Sequence, residues 1–68
     1  MSEVIFLVGE SAEGGYEAKA ASASIYTEAD TVEELREMVR DAVSCHFEEA
    51  DRPKLIRLHF VRDEVIAA

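Results

Sequence analysis

The sequence predicts an α+β fold of the order βββαβ, and three observations carry that reading. The run Val4-Ile5-Phe6-Leu7-Val8 is apolar at every position, Thr31-Val32-Glu33-Glu34 opens a stretch of helical spacing, and Ile56, Leu58 and Phe60 alternate with Arg57, His59 and Val61 after Pro53. An extended segment that is apolar on both faces belongs in the middle of a sheet, with something covering each side. Residues Glu3 to Val8 are therefore the expected central strand.

Gly9 to Gly15 follows as a polar loop with three glycines, joining the first strand to a second in a hairpin. The second strand is Tyr16 to Ala20, with Tyr16, Ala18 and Ala20 directed inward and Glu17 and Lys19 outward. Ala21-Ser22-Ala23 makes a turn, and Ser24-Ile25-Tyr26-Thr27 a short third strand.

The helix begins at a capping box. The Thr31 hydroxyl is placed to accept from the Glu34 backbone N–H, and the Glu34 carboxylate to accept from the Thr31 N–H. Asp30, Glu33 and Glu34 add negative charge at the positive end of the helix dipole. Val32, Leu35, Met38, Val39, Ala42, Val43 and His46 share one face, so an amphipathic helix from Val32 to about Glu49 is expected. Asp51-Arg52-Pro53-Lys54 ends it, because proline lacks the N–H a helix needs and disfavours helical geometry at the residue before it. Ile56, Leu58 and Phe60 then form the inward half of a fourth strand, and the tail Asp63 to Ala68, whose Val65 and Ile66 need cover, either extends that strand or reaches a neighbouring subunit.

At 68 residues this is one domain, 1–68. A chain of this size buries only about 60% of its unfolded surface, so self-association is expected. One helix on one layer of sheet leaves a sheet face bare. Ile5 and Leu7 lie on that face and are the candidate dimer face, with a second copy as its cover.

Seven basic residues against 15 acidic ones give a net charge of -8. That balance repels phosphate backbones and anionic lipid, so direct nucleic-acid and membrane binding are disfavoured, while a basic protein is attracted. The apolar run Val4 to Val8 is far shorter than the roughly 20 residues of a membrane span. No basic, apolar leader opens the chain, and the single cysteine, Cys45, suits a reducing compartment. A cytoplasmic protein is expected.

Chemistry-bearing groups are sparse. Cys45, His46 and His59 lack the spacing of a zinc site. His46 reads as a packed core histidine, Cys45 as a small apolar filler on its flank and His59 as a surface residue. The Gly9–Gly15 loop lacks phosphate-binding spacings and carries two glutamates. Asp30, Glu33, Glu34, Glu37 and Asp41 spread over a wide helical arc, and Glu33 with Arg36 and Glu37 with Arg40 are set as i,i+3 ion pairs on a solvated face. No catalytic residue, metal site or cofactor is expected, and the chain does not read as an enzyme.

The run Tyr26-Thr27-Glu28-Ala29-Asp30-Thr31-Val32-Glu33-Glu34-Leu35 resembles the strand-to-helix junction of HicB-type antitoxin domains. Gly15-Tyr16-Glu17-Ala18 resembles that family's second strand. The resemblance covers essentially the whole chain and implies a partial ribonuclease H-like fold: an antiparallel meander, one helix on one sheet face and the fourth strand beside the first, in sheet order 3-2-1-4. Ribonuclease H chemistry needs a carboxylate in the middle of the first strand, and Val4 to Val8 supply none. The resemblance thus implies a homodimeric binding module that neutralises a small basic ribonuclease toxin of the HicA type. The DNA-binding tail of full antitoxins has no counterpart here, nor has the family's proline-containing loop after the second strand, and DNA binding is not carried over. The alternative is a stand-alone structural or regulatory module of the same fold, binding a small molecule in place of a toxin.

Overall fold

A computed structural model describes residues 3–68. It contains β1 (Glu3–Glu10), β2 (Tyr16–Ala20), β3 (Tyr26–Ala29), α1 (Val32–His46) and β4 (Leu55–Phe60). The sheet order is β3-β2-β1-β4, as the resemblance implied. β1 runs antiparallel to β2, β2 antiparallel to β3, and β1 parallel to β4. The architecture is α+β, a four-stranded mixed sheet with one helix.

Register assigns the faces. Phe6 pairs with Ala20 and Leu58, and Val8 with Ala18 and Phe60, so these side chains share the helix-facing side. Val4, Phe6 and Val8 from β1 pack with Ala18, Ala20 and Ile25 and with Leu35, Val39 and Val43 of α1, and together they form the buried core. Phe6 and Leu35 are wholly inaccessible. The core is small and aliphatic, and alanines on β2 let the helix approach the sheet closely.

Four boundaries differ from the sequence reading, each for a physical reason. β1 continues to Glu10, because the hairpin keeps pairing up to Glu10 with Tyr16. β3 is Tyr26–Ala29, two residues later than the expected Ser24–Thr27. Ile25 precedes it, buried, with its carbonyl accepting from the Ala20 N–H across the turn at 3.0 Å. Thr27 and Ala29 then continue the inward alternation that Ile25 begins.

The helix stops at His46, three residues short of Glu49, because Phe47 takes extended geometry (φ -104°, ψ 141°) and turns its ring toward the core. His46 is exposed rather than packed in the core: α1 buries the narrower row Leu35, Val39 and Val43, and His46 ends the last turn beyond that row, edge-on to the Phe47 ring at 4.9 Å. A basic side chain there also suits the negative end of the helix dipole. Met38 and Cys45 are exposed as well, so neither fills the core. Phe60 differs too: Ile56 and Leu58 are half-buried but Phe60 is 51% exposed, since α1 packs on β2 and β3 and does not extend over β4.

Two glycines fix the hairpin. Gly14 and Gly15 have φ of +93° and +85°, the region that disfavours side chains. A Cβ on Gly15 would sit 2.7 Å from the Ala29 carbonyl oxygen, whereas one on Gly14 would meet open space. Gly14→Ala is expected to destabilise by about 1–2 kcal/mol from backbone geometry alone, and Gly15→Ala by clearly more, because β3 must also move. Urea denaturation of the two variants checks the ranking; equal losses would mean that the loop does not bear on β3.

Candidate functional site

No helix among the described residues is long and apolar enough to cross a membrane. No group of three or more His, Cys, Asp or Glu among them converges to hold a metal ion. Cys45 and His46 follow one another on exposed helix while His59 lies on β4. The features able to meet another molecule are the bare sheet face, an acidic notch and a cationic groove.

The bare face comes from the odd-numbered side of β1. Ile5 and Leu7 project opposite to Phe6 and are 38% and 46% exposed. Their register partners Arg57, His59 and Lys19 flank them, so the apolar strip is narrow and bordered by basic groups. Arg57 Nε donates to Glu3 Oε2 at 2.6 Å, the ion pair found among the described residues. Further along, Glu17 of β2 pairs directly with Glu28 of β3, two like charges side by side. The Tyr26 hydroxyl bridges them, 3.1 Å from Glu17 Oε2 and 3.2 Å from Glu28 Oε2. A phenolate there would face two carboxylates, and the hydrogen bond to Glu17 first, then partial burial and the bond to Glu28, push the Tyr26 pKa up to about 12.

The acidic notch lies at the loop end of the hairpin and shares Glu28 with that bridge. Ser11 N–H donates to the Gly15 carbonyl at 2.9 Å and Gly14 N–H to the Ser11 carbonyl at 3.1 Å, holding a tight loop against the β3–α1 junction. Glu13, Glu28, Asp30 and Glu34 gather around a depression of about 430 Å³, with exposed Met38 at its border. Thr31 caps α1 here: its Oγ1 accepts from the Glu34 N–H at 3.1 Å. The Glu34 carboxylate accepts from the Thr31 hydroxyl at 3.3 Å, not from the Thr31 backbone N–H that the capping-box reading expected.

The groove lies between α1 and β4. Val39, Val43, Ile56, Leu58 and Phe60 line a space of about 610 Å³, with Arg36, Arg40, Arg52 and Lys54 beside it. Arg52 also donates to the Ser44 carbonyl at 3.3 Å, tying the post-helix loop to α1. The expected pairs Glu33–Arg36 and Glu37–Arg40 do not form: no carboxylate among the described residues comes within 4.0 Å of either arginine. The arginines follow the groove while the glutamates stay in water, which already solvates them well.

Sequence reasoning found Ile5, Leu7, Thr31 and Glu34 but not the notch, the groove or the Tyr26 bridge. Each of these joins residues from separate elements. The signal present in the sequence was the outward alternation of Glu17, which acquires meaning only once Glu28 is known to lie opposite.

Fold and surface together define a small mixed-sheet domain with one helix and polarised charge. The chain belongs to the UPF0150 family. A UPF0150 protein of Thermotoga maritima is 49% identical over 65 residues, which cover 96% of this chain and 91% of the relative. A UPF0150 protein of Archaeoglobus fulgidus is 62% identical over 52 residues, covering 76% of this chain and 77% of the relative. Neither name states an activity or a partner. No family model matches the chain, and no solved structure does.

The Tyr26 geometry yields a pH prediction. With the folded pKa near 12 against an ordinary 10.0, the folded protein keeps a proton that the unfolded chain releases. The stabilisation is complete below pH 10 and is lost as pH rises toward 12. In a Tyr16→Phe background, ultraviolet titration is expected to show the remaining phenol ionising near 12, and Glu17→Gln to lower that value more than Glu28→Gln. A phenol titrating at 10 in the folded protein would exclude the bridge.

Proposed function

We propose that the chain is a non-catalytic, cytoplasmic protein-binding module of the HicB antitoxin type, which pairs with a second copy and captures a small basic partner such as a HicA-type ribonuclease. The observation that carries this reading is the notch of Glu13, Glu28, Asp30 and Glu34. Three of its four carboxylates, Glu28, Asp30 and Glu34, come from Tyr26 to Leu35, the run that bears the resemblance. Carboxylates around a depression, next to an exposed methionine, suit a lysine or arginine side chain with its apolar stem. The net charge of -8 speeds the encounter with such a partner.

The Ile5 and Leu7 strip is the proposed contact between copies. Its basic flanks limit the buried area, which favours a modest association. Leu7→Lys is expected to weaken self-association by roughly tenfold or more in sedimentation equilibrium, because it buries a like charge beside Lys19 and His59. An unchanged association constant would remove this face from the contact.

The partner is tested by co-expression with any small basic reading frame encoded beside this one. A stable complex and relief of growth inhibition are expected. Glu13→Lys with Asp30→Lys, both exposed, is expected to slow association and weaken the complex roughly tenfold, with a reduced salt dependence. Absence of a complex together with unrelieved toxicity would overturn the proposal.

A further inference from the structure

The groove between α1 and β4 and the segment that follows β4 complement each other in polarity and in charge. Four of the chain's seven basic residues, Arg36, Arg40, Arg52 and Lys54, stand along the groove, and no carboxylate of the described residues pairs with any of them. This happens in a chain with 15 acidic residues, so the groove holds cations that the rest of the molecule leaves uncompensated. Its floor is apolar and partly open, with Phe60 half in water.

Beyond Arg62, residues 63–68 have the opposite character, with two carboxylates and no cation. Val61 donates its N–H to the Val8 carbonyl at 2.7 Å, and beyond it the chain runs on without regular structure. Asp63 and Glu64 precede Val65 and Ile66, which are 94% and 76% exposed. Residues 55–68 in extended form span about 46 Å, which accounts for a molecule 50 Å long but only 21 and 17 Å across. The segment therefore points away from its own groove. Returning to it would need a reversal, and residues 61–68 contain neither glycine nor proline.

We propose that residues 63–66 of a second copy fill this groove, and that the exchange is reciprocal. Val65 and Ile66 of one protomer pack on Val43, Leu58 and Phe60 of the other, while Asp63 and Glu64 meet Arg36 and Arg40. A two-fold arrangement satisfies both grooves at once. The exchange uses the helix side of the sheet, so it is separate from the Ile5 and Leu7 strip and does not depend on it.

The test uses the full chain. Because Val65 and Ile66 touch almost nothing within one protomer, Val65→Ser with Ile66→Ser leaves the monomer's fold intact while removing the inserted apolar groups. Sedimentation equilibrium, in the natural background and in Leu7→Lys, is expected to show association weakened about tenfold or more in both. Asp63→Lys with Glu64→Lys, and separately Arg36→Glu with Arg40→Glu, are each expected to weaken association roughly tenfold. All four substitutions in one chain are expected to restore it, a rescue that a purely structural effect would not produce. Unchanged association in the serine variant overturns the proposal. So does a lower melting temperature at constant mass, independent of concentration, because that result places the segment in its own protomer's groove.

Discussion

A single helix is too narrow for a four-stranded sheet, and the rest of this structure follows from that mismatch. A helix with its side chains is about 10 Å wide, whereas strands about 4.8 Å apart make a four-stranded layer nearly twice as broad. α1 must therefore choose a position, and it packs on β2 and β3, where alanines let it approach closely. Phe6, Leu35, Val8 and Val39 fill the space beneath it. β4 is left beside the helix and not under it. Its inward side chains Ile56 and Leu58 are half-buried and Phe60 is half in water, and a groove opens beside them.

Charge follows the same division. Around the hairpin end, Glu13, Glu28, Asp30 and Glu34 crowd together, and along the β4 side Arg36, Arg40, Arg52 and Lys54 gather without partners. The net charge of -8 describes neither region well. What matters for recognition is that one molecule presents two surfaces of opposite sign, separated by α1. A domain so built can attract a basic protein at one end and an acidic segment at the other without the two competing.

The fold was largely legible in the sequence because its signals were local. The unbroken apolar run of β1, the Thr31 cap and the β4 alternation each need only neighbouring residues to be read. The misreadings arose where a long-range contact decides. His46 and Met38 sit at helical spacing from buried residues, yet a helix on a sheet edge buries a narrow row, and only the packing geometry shows how narrow. β3 began late because Ile25 has a better use as a plug under the turn than as a paired strand residue. Arg36 and Glu33 have the right spacing to pair, but the groove beside Arg36 offers its stem apolar cover that the exposed side does not. The notch and the groove were beyond sequence reasoning, since one joins the hairpin loop to β3 and α1 and the other joins α1 to β4.

The β1–β4 pairing governs the order in which the molecule can form. β1 is central and is made before its parallel neighbour β4, with the whole hairpin, β3 and α1 between them, so Val4 waits for Ile56 and Phe6 for Leu58. The hairpin and α1 can assemble early from contacts close in sequence, whereas the final edge requires closure of nearly the whole chain. Until then β1 carries an open hydrogen-bonding edge beside its most apolar residues. The sheet is thus complete only once β4 has been made, and until then the chain is most vulnerable to mispairing through the strand that later lies at its centre.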